Sequence, residues 1–170
     1  EYREATAFLE ASEGYFRVVW IPAFSKKPFW HVNVPGDLTD DISPKPTLSN
    51  LYSEVNKKLL YGPGSLLLTG KSAYLAKFYA PLNVRFVLIH DDVPELARKV
   101  ARLLKNMEKQ HGVEPVYRSG FIHVFEIEDV ADAVSIRGGA VLVLGADWVT
   151  EFNSLMYVED FDPLRLGLLH

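Results

Sequence analysis

The chain contains no cysteine, and other features that would indicate a class of protein are missing as well. Without cysteine, disulfides, thiolate catalysis and cysteine-ligated zinc are all excluded. The 18 Lys and Arg residues are outnumbered by 22 Asp and Glu, for a formal net charge of -4, and no basic run exceeds two residues. Nucleic acid is therefore not an expected partner, because that binding depends on clustered cations that neutralise phosphates.

Long hydrophobic runs are also absent. No stretch approaches the roughly 20 apolar residues that cross a bilayer. The sequence starts at Glu1 rather than Met and has no signal-peptide pattern. With 170 residues, 48% of them hydrophobic, the chain is long enough for one domain with a substantial core. We expect a soluble fragment or processed chain cut from a larger protein.

One apolar strand and the helix after it set the fold class. Val84–Ile89 is apolar on both faces, as expected for a central strand covered by helices above and below. The next helix has one apolar stripe, and its basic residues lie away from that stripe. These basic residues are Arg98, Lys99, Arg102, Lys105 and Lys109. Further predicted elements are helices over Tyr2–Leu9, Leu48–Leu59 and Ser72–Tyr79, a strand over Tyr15–Ile21, and a hairpin of Val113–Tyr117 and Phe121–Ile127. The sequence predicts an α/β fold with a mixed, partly parallel sheet flanked by helices.

The C-terminal segment predicts a β-α-β unit. Ala140–Leu144 and Leu164–Leu169 are apolar strands on either side of a helical pattern over Val149–Tyr157. We divide the chain into a main α/β domain, residues 1–136, and this unit, residues 137–170. The unit either joins the preceding sheet or opens a second domain.

Acidic residues follow two of the predicted strands. Asp91 and Asp92 come directly after the central strand, and Asp147 follows the strand Ala140–Leu144. The carboxyl ends of strands form the edge where open α/β sheets bind ligands, so these carboxylates could hold a cation or orient sugar hydroxyls. The simpler interpretation, which we favour, is that Asp92 and Asp147 cap the helices that follow and Asp91 is solvated.

A long segment without periodic pattern, Ala23–Pro46, contains a second candidate site. Phe29, Trp30 and His31 could form an aromatic platform for a sugar ring, and acids later in the segment could accept hydrogen bonds from hydroxyls. The alternative, which we favour, is that Trp30 packs over the sheet edge beneath the loop.

No motif indicates a metal, a cofactor or a catalytic triad. The five histidines never occur in HExxH, and no serine lies in G-x-S-x-G. Gly70-Lys71-Ser72 matches the end of a phosphate-binding loop, but Ser65 stands where its first glycine is required. We interpret this segment as a turn at the start of a helix and expect no cofactor and no metal.

Four segments together resemble the extracytoplasmic portion of large multi-pass membrane proteins of the YfhO-like and GT-C glycosyltransferase type, particularly archaeal ones. They are YFRVVWIP (residues 15–22), LNVRFVLIHDD (82–92), HVFEIEDVADAV (123–134) and GGAVLVLGADW (138–148). The resemblance covers most of the chain in order, and it implies no catalytic residue in this sequence.

What the resemblance implies is an accessory domain on the extracytoplasmic face of the cell membrane, joined to the membrane-embedded remainder of the same polypeptide. Such a domain would recognise glycan or acceptor, or shape the outer face of a transferase whose chemistry occurs elsewhere. Two alternatives stay open. One is a free-standing α/β enzyme with its site at Asp91, Asp92 and Asp147, and the other is a protein-interaction module that uses the segment Ala23–Pro46.

Overall fold

The computed structural model describes residues 1–21, 43–48, 67, 69–70, 73–130, 139–142, 162 and 166–169. The helices with described bounds are α1 (Tyr2–Ala11), α2 (Leu75–Tyr79) and α3 (Ala97–Met107). The strands are β1 (Arg17–Ile21), β2 (Val84–His90), β3 (Val113–Ser119), β4 (Ile122–Ile127), β5 (Gly139–Leu142) and β6 (Leu166–Leu169). Short 3₁₀ turns, Ala80–Leu82 and Pro94–Leu96, precede β2 and α3.

The first four strands form one mixed sheet in the order β1-β2-β4-β3. Strand β2 pairs in parallel with β1 and antiparallel with β4, and β3 pairs antiparallel with β4. A two-residue turn at Gly120 and Phe121 joins β3 to β4, and Gly120 has a φ of 54°, which favours glycine. The predicted hairpin and the predicted mixed, partly parallel sheet are both confirmed.

Both faces of β1, β2 and β4 are covered, each by different helices, whereas the edge strand β3 is mostly exposed. On one face, α1 packs through Ala5 and Leu9 against side chains of β1, β2 and β4, including Trp20, Phe86 and Leu88. On the other face, α2 and α3 cover a second core. Its main members are Val19, Val87, Ile89, Phe78, Tyr79, Val100, Leu103, Met107, Phe125 and Ile127. Every residue of β2 except Arg85 is buried, so the prediction of a central, doubly covered strand is confirmed.

Gly70, the glycine of the Gly-Lys-Ser motif, lies at the end of a helical segment rather than at the start of one. Leu67 and Thr69 are helical, and the backbone N–H of Gly70, whose φ is 66°, donates to the Leu67 carbonyl. The side-chain amide of Asn106, buried in α3, donates to the same carbonyl at 2.7 Å. The turn is thus held by α3, and α2 begins five residues later at Leu75; Lys71 and Ser72, where we interpret a helix start, lie outside the described residues.

Strands β5 and β6 form a separate two-stranded parallel sheet, with Gly139 opposite Leu166 and Leu142 opposite Leu169. Their parallel pairing agrees with the predicted β-α-β unit. The predicted helix over Val149–Tyr157 lies outside the described residues, as does most of the predicted helix Leu48–Leu59. The division of the chain at residue 136 stays a prediction.

Candidate functional site

The two acids after β2 lie at the carboxyl end of the central strand and have different surroundings. Asp91 continues the ladder, because its backbone N–H donates to the Phe121 carbonyl at 3.1 Å, and its side chain is exposed. Asp92 turns inward and is partly buried. The sheet edge that sequence analysis selected therefore presents one solvated carboxylate and one that is used inside the molecule.

Asp92 forms a cluster with His90, the last residue of β2, and Tyr2, the first residue of α1. His90 Nδ1 lies 2.6 Å from Asp92 Oδ1, and the Tyr2 hydroxyl donates to Asp92 Oδ2 at 3.1 Å. The Tyr2 oxygen is also 3.2 Å from His90 Nδ1. We call these residues the Tyr2–His90–Asp92 cluster. It connects residues that are 88 and 90 positions apart in the sequence.

Aromatic rings enclose the cluster on the side of the sheet that α1 covers. The Tyr2 ring stacks on Trp20 of β1 with 5.9 Å between ring centroids, and it contacts Phe121 at 5.4 Å. Trp20 also meets the His90 ring edge-on at 6.3 Å. The His90 side chain has no solvent exposure. A ligand approaching the described residues would therefore meet these rings before it reached the imidazole.

The surroundings of the cluster fix the protonation states of its oxygen groups. Burial alone would raise the pKa of Asp92, but hydrogen bonds from His90 and Tyr2 outweigh burial and hold that pKa below its usual range. Burial raises the pKa of Tyr2, and the negative charge of Asp92 raises it further. At neutral pH the carboxylate is charged and the phenol is neutral.

The cluster has the chemistry of a carboxylate that orients an imidazole. Because an ionised carboxylate only accepts hydrogen bonds, the 2.6 Å contact places a proton on His90 Nδ1. The same pairing orients histidine bases in many enzymes. A base must reach the proton it takes, however, and His90 is completely buried. In this conformation the hydrogen bonds of the cluster hold α1, through Tyr2, to the end of β2.

The favoured interpretation of Asp92 as a helix cap is wrong. Helix α3 begins at Ala97 after the 3₁₀ turn, the N-cap positions are Val93 and Leu96, and neither position makes a side-chain capping bond. A hydrogen bond from a histidine or tyrosine to a carboxylate inside the molecule is worth about 1.5–3 kcal/mol, whereas a cap contributes typically about 1 kcal/mol. The Asp92 carboxylate therefore accepts the stronger long-range hydrogen bonds from His90 and Tyr2 instead of capping the helix.

Asp91 faces a different neighbour. His123 of β4 lies opposite Ile89 in the ladder. Burial lowers the pKa of His123, the positive charge of Arg118 lowers it further, and Asp91 acts in the opposite sense. The exposed surface beside Asp91 thus has charges of both signs and no excess that would concentrate one kind of ligand.

A cleft of about 520 Å³ lies near the other end of β2. Its lining is mainly acidic: Glu114, Glu126, Glu128 and Asp129, with Arg85, Ile127 and Val130. Arg85 Nε donates to Glu126 at 2.8 Å, so one of these charges is already paired. Within the described ranges no group of three or more acidic or histidine side chains is arranged to hold a metal ion.

The remaining candidates lie outside the described residues. Phe29, Trp30 and His31 belong to the segment after residue 21, and Asp147 follows β5. Their predicted roles, as an aromatic platform and as a cap or ligand, stay predictions.

Comparison with known proteins identifies no relative of this chain. No protein-family model matches it, and no curated protein or solved structure matches it significantly. Among the helices with described bounds, none is both long enough and apolar enough to cross a bilayer.

Sequence reasoning missed two members of the cluster, Tyr2 and His90. The sequence places Tyr2 at the start of the predicted helix Tyr2–Leu9, and His90 is one of the five histidines outside any metal-binding motif. The one local signal is the spacing of His90 and Asp92, two residues apart at a strand end. That spacing carries little information by itself, because the third member comes from the beginning of the chain.

Proposed function

We propose that this chain is a non-catalytic extracytoplasmic domain of a membrane glycosyltransferase-like protein, and that it recognises glycan or acceptor while the membrane-embedded remainder of the polypeptide performs the chemistry. One observation carries the non-catalytic part of the proposal. The sheet edge where an α/β enzyme would place its reactive groups is occupied by the chain's own Tyr2, which holds Asp92 and covers the fully buried His90.

The alternative of a free-standing enzyme with Asp91, Asp92 and Asp147 at its centre receives less support. Each oxygen of Asp92 already accepts a hydrogen bond, from His90 or Tyr2, so a cation or a substrate hydroxyl would have to compete with these two contacts. Asp91 is exposed, and burial and the positive charge of Arg118 lower the pKa of His123 on β4, whose pKa Asp91 acts to raise. A single solvated carboxylate does not supply the acid and base pair that hydrolytic or transfer chemistry needs.

The assignment to a membrane protein rests on the four sequence segments and is tested on the native polypeptide. An antibody raised against the 170-residue chain should detect, in cells of the source organism, a protein much larger than 19.2 kDa that sediments with membranes and resists extraction by carbonate. Detection of a carbonate-extractable 19 kDa species alone would refute the assignment.

Glycan recognition is tested on the chain itself. We expect a glycan to contact Trp30, because an indole face is the best platform in the segment for the apolar face of a sugar ring. Titration with a panel of oligosaccharides up to millimolar concentration, followed by chemical shifts and tryptophan fluorescence, should change the signals of Trp30.

A matched pair of variants tests whether the response to glycan comes from Trp30. Trp30→Ala should abolish the response, whereas Tyr15→Ala should preserve it, because Tyr15 is a 63% exposed aromatic residue outside the segment Ala23–Pro46. The same loss in both variants, or no response to any glycan in the wild-type chain, would reject glycan recognition and leave the membrane assignment to be decided by the fractionation.

A further inference from the structure

The outer face of α3 carries an uninterrupted row of cations. Arg98, Arg102 and Lys105 lie on the helix and Lys109 in the turn just after it, and all four side chains are exposed. At about 100° per residue these positions fall within about 60° of one another, and the row is about 16 Å long. Lys99, also exposed, lies at its margin. We call these five residues the basic face.

The basic face has no acidic partners in the described part of the chain. None of its five side chains forms an ion pair there, and the first turn of α3 contains no acidic residue. Glu108, the acid nearest in sequence, lines a groove between α3 and β3 at the side of the row. As far as the described side chains go, the cations are therefore available to a partner.

Such a row is unfavourable for the isolated helix. Like-charge neighbours at spacings of three or four destabilise a helix, and this row contains three such pairs: Arg98 and Arg102, Arg102 and Lys105, and Lys105 and Lys109. Arg98 and Lys99 also stand near the N-terminus, where the helix dipole favours anions. An exposed helix that only needed to be solvated would be more stable with acidic residues between the cations. The unfavourable run of like charges therefore indicates that an external anion binds this face.

The shape of the face limits what that anion can be. The apolar side of α3, formed by Val100, Leu103 and Met107, is buried in the core and cannot insert into a partner. What remains is a convex row of point charges flanked by the exposed small residues Ala97 and Ala101. Isolated exposed ion pairs with a protein partner are worth little, whereas a surface of continuous negative charge attracts every cation at once.

We propose that the basic face docks this domain on a bilayer surface rich in anionic phospholipid headgroups. The rest of the chain favours one orientation, because its net charge without these five cations is -9 (-4 minus 5), and an anionic surface repels it. The same excess of acid opposes wrapping by a nucleic acid, which would bring phosphates close to other faces of the domain. This inference stands on α3 alone and does not depend on glycan recognition.

The test is co-sedimentation of the 170-residue chain with vesicles of phosphatidylcholine, with and without phosphatidylserine, at low salt and at about 1 M salt, where the Debye length is about 3 Å. We expect binding only to the anionic vesicles and only at low salt. In R98Q/R102Q/K105Q/K109Q the partition coefficient should fall about fivefold for each cation removed, since each is attracted by about 1 kcal/mol.

The matched control is K26Q/K27Q/K57Q/K58Q, which makes the same change in net charge without touching α3. It should bind as the wild-type chain does, and circular dichroism should show that both variants are folded. If the α3 variant unfolds, single R102Q takes its place, with an expected loss of about fivefold.

Three results would overturn the proposal. They are no binding of the wild-type chain to anionic vesicles, an equal loss in the control variant, and tighter binding through the same face to duplex DNA or to polyglutamate than to vesicles.

Discussion

The hydroxyl of Tyr2 provides the sharpest test of the Tyr2–His90–Asp92 cluster. Tyr2→Phe removes the donor to Asp92 Oδ2 and keeps the ring that stacks on Trp20 at 5.9 Å. A hydrogen bond to a charged group is worth about 1.5–3 kcal/mol. Asp92 is 22% exposed and keeps its bond to His90, so water and the imidazole compensate in part. We expect the free energy of unfolding at neutral pH to fall by about 1–2 kcal/mol.

The assay is urea denaturation followed by circular dichroism, with Tyr15→Phe as the control. Tyr15 is 63% exposed, so the control should change stability by less than about 0.5 kcal/mol. A double-mutant cycle with Asp92→Asn then isolates the pair, because the loss from Tyr2→Phe should shrink when the carboxylate is already absent. If Tyr2→Phe and Tyr15→Phe have the same stability within error, the cluster does not hold α1 to the sheet.

The pH dependence of the same variant has a definite sign. The folded pKa of Asp92 lies below its unfolded value of about 3.9, so its stabilisation is present above about pH 4 and is lost as pH falls through the folded pKa. Tyr2→Phe removes one hydrogen-bond donor and so moves the folded pKa of Asp92 towards its unfolded value. The difference between wild type and Tyr2→Phe should therefore be constant from about pH 5 to 8 and disappear in acid. A difference that grows in acid would contradict the assignment.

Two further predictions concern the turn at residue 70. Asn106→Ala should cost about 1–2 kcal/mol in urea denaturation, because the Leu67 carbonyl loses its 2.7 Å side-chain donor in a buried place and keeps only the Gly70 N–H; a cost below about 0.5 kcal/mol would show that the bond is dispensable. Gly70→Ala should destabilise more than Gly14→Ala. Both glycines have positive φ, 66° and 94°, but only at Gly70 would a new Cβ lie 3.2 Å from the Asn106 amide, whereas nothing lies within 4 Å at Gly14. Equal melting temperatures for the two variants would refute the close approach.

The main sheet could be predicted from sequence because its signals are local. The continuous apolar run at Val84–Ile89 predicts a strand covered on both faces, and the structure places β2 between β1 and β4. The periodic apolar stripe of α3 predicts which side is buried, and Val100 and Met107 lie in the core as expected. The apolar strands on either side of residues 118–120 predict the hairpin, although the turn itself is shorter and comprises Gly120 and Phe121.

The candidate site could not be predicted in the same way, because its decisive contact is not local. The spacing of Asp92 and Glu95 satisfies the local rule for a helix cap. The structure instead brings Tyr2 from 90 residues away to share that carboxylate with His90. Periodicity places Tyr2 on the inward side of α1 but does not indicate which group its hydroxyl meets. That information depends on how α1 lies across the sheet.

The position of α1 has a consequence for any ligand of this sheet edge. In open α/β sheets the carboxyl ends of the strands are free to form a crevice. Here Tyr2 fills that place, so a ligand would have to displace the Tyr2 ring from Trp20 and break its bond to Asp92, or bind outside, at Asp91. Displacement would expose His90 with its Nδ1 proton still directed to the carboxylate. Tyr2→Phe would ease that opening, so a ligand that bound Tyr2→Phe more tightly than wild type would show that the edge can open, whereas equal binding would place the ligand on the surface outside the rings.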